Sequence, residues 1–136
     1  MAKMPKEVVD MINERPLAPK VLATCDSAGK LNVVPKGTLT AIDEETIAFA
    51  DIFGDKTNVN LKANQKAAVA VFKMDLPPVG YQVKGTFQDF QTSGPLFDTF
   101  AGQVKEMLGL DIKSVGVIKV DEVYAAGVPN PGAKLT

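Results

Sequence analysis

The sequence predicts a mainly β fold, one antiparallel β-barrel of six strands with a few helices around it. Three observations carry this. Short apolar segments of strand length follow one another through tight-turn residues, which suits a meander rather than βαβ units. Helical spacing is confined to three short stretches. The chain of 136 residues, 46% hydrophobic and 23% charged, has the size and composition of a single globular domain spanning residues 1–136.

Taken in order, Met4, Val8, Met11 and Ile12 recur at helical spacing, and Pro5 suits a first turn. Two prolines within Arg15-Pro16-Leu17-Ala18-Pro19 end that helix. Val21–Cys25 is the first strand, and Asp26-Ser27-Ala28-Gly29-Lys30 is rich in turn residues. Leu31–Ile42 reads as the second strand, with Pro35 marking a bulge or an edge, and Thr46–Ala50 as the third. Phe53-Gly54-Asp55 leads into a short helix with Asp55 as N-cap, and Val59 and Leu61 supply its buried side. Ala67–Phe72 is a buried strand, and Val79–Phe90 follows Leu76-Pro77-Pro78. Gly94-Pro95 opens a longer helix whose apolar stripe is Phe97, Phe100, Val104, Met107 and Leu108. Ser114–Ala126 is the last strand, and Gly127–Thr136 reads as a loose tail.

Composition narrows the chemistry. The net charge is −1 and no basic stripe is present, which argues against nucleic acid as a partner. No apolar run reaches the ~20 residues of a membrane span. The first residues carry lysines with no apolar stretch after them, so no signal peptide is expected, and a cytoplasmic home is. Cys25 is the single cysteine, which fits a reducing compartment and an inert, buried thiol. The chain has no histidine, which removes the commonest general base and the usual zinc and haem ligands. No metal site is expected, and redox chemistry would have to come from a borrowed cofactor.

The first hairpin Val21–Lys36, the passage Ala48-Phe49-Ala50-Asp51-Ile52-Phe53-Gly54-Asp55-Lys56-Thr57, the following Asn60-Leu61-Lys62-Ala63-Asn64, and the Gly85 strand before Gly94-Pro95 occur in an informative order. Together they resemble the pyridoxamine 5′-phosphate oxidase-like FMN-binding split barrels, small bacterial FMN-binding members included. The resemblance covers about Val21 to Ala126 and implies a split barrel, a homodimer and FMN as cofactor. It implies that Val33-Val34-Pro35-Lys36 runs along the flavin ring, Lys36 favouring negative charge there. It also implies that Lys56 and Thr57 hold the phosphate, with Asn58 as a further donor, and that Ala50 and Asp51 line the same cleft.

The chain departs from the larger oxidases in having Gly54 and Asp55 where they carry serine and arginine, and Leu31 where they carry arginine. Fewer cations imply weaker phosphate binding. Without histidine or a matching arginine (Arg15 lies outside the match), oxidation of pyridoxamine phosphate is not expected. Phe97 and Phe100 read as core, while Tyr81 and Tyr124 cannot be placed. Three readings stay open: an FMN-dependent oxidoreductase with an unidentified small-molecule or protein redox partner, a non-catalytic FMN carrier, or a barrel that binds another ligand such as a deazaflavin or haem.

Overall fold

The computed structural model describes residues 2–14, 16–127 and 130–136; Arg15 and part of the expected tail, Val128 and Pro129, lie outside the described residues. The elements in chain order are α1 (Lys6–Ile12), β1 (Lys20–Cys25), β2 (Leu31–Pro35), β3 (Thr40–Asp43), β4 (Thr46–Asp51), α2 (Lys56–Asn64), β5 (Lys66–Lys73), β6 (Val79–Gln91), α3 (Pro95–Leu108) and β7 (Ser114–Ala125). The strands form one antiparallel sheet in the order β2-β1-β5-β6-β7-β4-β3. It is a split barrel of seven strands, not six. The stretch read as one strand, Leu31–Ile42, breaks after Pro35. There Lys36 C=O accepts the Leu39 N–H (3.2 Å), and the chain crosses from one sheet edge to the other. A proline at the end of an edge strand leaves no ladder donor unpaired.

Two apolar cores lie on opposite faces of β4. Ile47 and Phe49 join Leu22, Val69, Val83 and Ile118 inside the barrel, where α1 adds Val8 and Ile12. Ala48 and Ala50 face the other way, against Phe100 and Val104 of α3 and Val115 of β7. All six residues of β4 are therefore buried, the expected state of a strand covered on both sides. Gly116 of β7 lies flat against the Phe49 ring, and a Cβ at position 116 would collide with it.

Local chemistry fixes the ends. Pro95 takes the first turn of α3, and Gly109 closes it in the left-handed region (φ 67°). Asn13 binds both backbone groups of Ala41, accepting its N–H (2.8 Å) and donating to its C=O (2.9 Å), which ties α1 to edge strand β3. The C-terminal segment is less loose than its composition suggests. Ala125 N–H donates to Ala133 C=O (2.9 Å), Leu135 N–H donates to Val123 C=O (2.7 Å), and Lys134 bridges Tyr124.

Two helical readings need correction. Val59 is 64% exposed, so α2 buries Thr57, Asn60 and Leu61 instead. Asn60 earns its burial by donating to Thr24 Oγ1 (3.0 Å), a polar contact that a hydrophobic pattern does not show. Met107 and Leu108 continue the α3 stripe on paper but are exposed. No helix among the described residues is long and apolar enough to cross a membrane.

Candidate functional site

A cavity of about 680 Å³ lies between β2, the 36–38 connection, the end of β4, the start of α2 and the C-terminal half of α3. Period-2 alternation sends Asn32, Val34 and Lys36 to this side of β2, and it sends Leu31 and Val33 to the outer face. Of the residues expected at a cofactor, Val34, Pro35, Lys36, Ala50, Lys56 and Thr57 line the cavity. Val33, Asp51 and Asn58 do not line it.

The Val33 side chain is 61% exposed on the outer face. Its backbone is another matter. Lys36 N–H donates to Lys20 C=O across the β1–β2 pair (3.1 Å), and antiparallel alternation then turns the N–H of Val33 to the free edge. Pro35 has no N–H to offer. Val33 is thus the one free-edge backbone donor in the stretch 33–36, fewer than the sequence suggests.

Asp51 sits behind the cavity wall, buried. Its carboxylate accepts Gly54 N–H (2.9 Å) and the Ser114 hydroxyl (3.1 Å), so it folds the 51–54 turn. Gly54 is packed against Asp51 and Asn58 so closely that a Cβ would collide with both side chains. That accounts for glycine at this position. Asp55 holds the expected N-cap position of α2, its C=O accepting the Val59 N–H (3.1 Å), but its side chain makes no capping bond. Asp55 faces the cavity instead. Asn58 Oδ1 is buried without a hydrogen-bond partner.

Lys36 Nζ lies 5.0 Å from the centre of the Phe49 ring. Burial pushes its ammonium below the usual lysine range, and the Asp51 charge pulls partly the other way. Thr57 is buried, and its hydroxyl accepts a bond from Asn32 Nδ2 (3.1 Å). Thr38 Oγ1 accepts Ala50 N–H (3.0 Å) and so fixes the end of β4. Asn32 and Thr38 were not anticipated. Asn32 was findable, since it shares the strand period of Val34 and Lys36. The apolar wall of Leu17, Val104, Met107 and Leu108 joins distant parts of the chain, and no local pattern announces it.

Cys25 is a half-buried free thiol whose C=O accepts Asn64 Nδ2 (2.6 Å). Phe100 is core and Phe97 packs against it. Tyr81 and Tyr124 lie on the β6–β7 pair, outside the cavity. No cluster of histidine, cysteine or carboxylate side chains able to hold a metal occurs among the described residues.

A split barrel with a cleft between its edge strand and the helix after β4 defines a known class. The sequence profile of pyridoxamine 5′-phosphate oxidase matches residues 4–126, and the chain belongs to that family. Among solved structures, HupZ of Group A Streptococcus is 25% identical, covering 98% of this chain and 99% of that one, with a TM-score of 0.82. An FMN-binding protein from Syntrophomonas wolfei subsp. wolfei is 22% identical over 92% of this chain and 87% of its own, with a TM-score of 0.83. HutZ, the haem storage protein of Vibrio cholerae, is 14% identical over 90% and 94%, with a TM-score of 0.65. No curated protein sequence matches the chain.

Proposed function

We propose that this chain binds FMN in the cleft between β2 and α2 and passes electrons through it to an acceptor, as an oxidoreductase. The observation that carries the reading is the convergence of Lys36, Lys56 and Thr57 on one largely apolar cavity. Such a wall suits a flat ring, and the two lysines suit its polar edge and phosphate. The residues present fit the group. Lys56 and Thr57 would take the phosphate, and the free-edge N–H of Val33 and the ammonium of Lys36 the ring. Bound FMN would supply the redox chemistry, while this chain positions it and sets the local charge.

The same reading takes the protein to be a cytoplasmic homodimer. The outer face of β2, β1 and β5 aligns Val33, Ala23 and Ala68 in register, with Leu31 beside them at 84% exposure. A second copy would cover this flat face of apolar and small side chains. Sedimentation of Val33→Glu against the parent tests this, because a charge at its centre should release monomers.

Absorbance of the purified protein, before and after FMN addition and desalting, decides the cofactor. A flavin band near one per chain supports the proposal, and a colourless protein that fails to retain FMN sinks it. Lys56→Ala should weaken FMN binding by ~1–3 kcal/mol, the scale of a charge-assisted hydrogen bond. An unchanged dissociation constant would remove Lys56 from the site. Likeness to HutZ favours haem as a second reading. A Soret band in place of the flavin band would select it, although the chain has no histidine to ligate iron.

A further inference from the structure

The cavity is electrically balanced. Its lining carries Lys36 and Lys56 against Asp55, and Asp51 stands directly behind, close enough for its charge to act on Lys36. Among the described residues two cations therefore meet two carboxylates, and their formal charges cancel. The carboxylates differ in kind. Asp51 is buried and committed to Gly54 and Ser114, so it is part of the scaffold. Asp55 is exposed, makes no capping bond and borders the cavity next to Lys56. Among the described residues no hydrogen bond or ion pair holds its carboxylate.

A phosphate monoester carries about −1.5 to −2 charges near neutral pH and is bound best where cations are in surplus. Among the described residues this cavity has no surplus. Its apolar lining, Leu17, Val34, Pro35, Ile52, Val104 and Met107, favours a ring system.

We propose that Asp55 sets the charge selectivity of this cleft, offsetting Lys56 so that the site reads the flavin ring and takes riboflavin about as well as FMN. The inference rests on the flavin reading and goes one step beyond it. Lys56 still matters to FMN, because without it Lys36 alone would face the two carboxylates and the net charge would repel the phosphate.

Titration of the wild-type chain with FMN and with riboflavin, at low and high salt, tests this alongside Asp55→Asn. The two dissociation constants should agree within about threefold in the wild type. Asp55→Asn should tighten FMN by about two- to fivefold at low salt, lose that gain at high salt, and leave riboflavin unchanged. A wild-type preference for FMN beyond about tenfold overturns the proposal, as does a variant that shifts both flavins alike. Inorganic phosphate alone separates this outcome from failure of the flavin reading. In amide NMR spectra, phosphate should move Lys56 and Thr57 in Asp55→Asn at concentrations that leave the wild type unmoved. Equal responses overturn the proposal whether or not either flavin binds.

Discussion

Lys20 and Lys36 face each other across the β1–β2 pair, yet they sit in opposite kinds of surroundings. Lys20 is 4% exposed, and its ammonium donates to Ile12 C=O (2.7 Å) and Leu39 C=O (2.6 Å). It closes the end of α1 and holds the chain where it turns into β3. Among the described residues, the Lys36 ammonium meets the face of Phe49 and the more distant charge of Asp51. One lysine is spent on the fold; the other is held ready at a cavity. A buried polar group with its partners in place contributes to stability, and one without them is what a binding site keeps in reserve.

The largest expected effect tests the first half of that contrast. Lys20→Met removes the donor to two buried carbonyls and should destabilise the chain by ~2–4 kcal/mol, measured by urea unfolding. Flavin affinity of the folded fraction should not change. A loss below about 1 kcal/mol would mean that water reaches these carbonyls, and the contrast between the two lysines would collapse.

The turn that carries the cavity's other lysine gives the next test. Gly54→Ala drives a methyl group into Asp51 and Asn58, so it should cost ~1–3 kcal/mol and weaken flavin binding. Gly102, inside α3 with open space where its Cβ would be, is the internal control. Gly102→Ala should instead stabilise by ~0.5–1 kcal/mol, the helix propensity gain, with no effect on ligand. If both substitutions behave alike, the 51–54 turn is not the rigid support described above.

Much of this was legible in the sequence, and the failures share a cause. Strand positions followed from apolar segments and turns, and six of the nine residues that the family resemblance pointed to line one cavity. What failed depended on partners far away in the chain. Leu31–Ile42 reads as one strand because nothing local shows that Lys36 C=O will take the Leu39 N–H and redirect the chain. Asp55 stands at the N-cap position as its residue type suggests, but its side chain makes no capping bond. Val59 is apolar and α2 is short, so its facing was decided by the contact of Asn60 with Thr24, 36 residues away. Met107 and Leu108 keep the helical period but border the cavity and stay exposed instead of entering the core. Periodicity reports a face, not what lies opposite it.

The smallest effect concerns Lys36 itself. Its folded pKa lies below the ordinary 10.5, so the folded chain releases this proton more readily than the unfolded one. Between the lowered value and 10.5 the unfolded chain binds more protons, and stability rises with pH. Below that window the cost of burying the charge is fully present. Lys36→Met should therefore raise stability at pH 7 by ~0.5 kcal/mol and flatten the alkaline rise, read as the difference between wild-type and variant unfolding curves. Against this stands the attraction of the ammonium to the Phe49 ring, worth ~0.5–1 kcal/mol. A variant less stable than the wild type at pH 7 would show that the ring outweighs burial, making Lys36 a second scaffold lysine like Lys20. A more stable variant that also binds flavin less well would place the cost of Lys36 on the side of function.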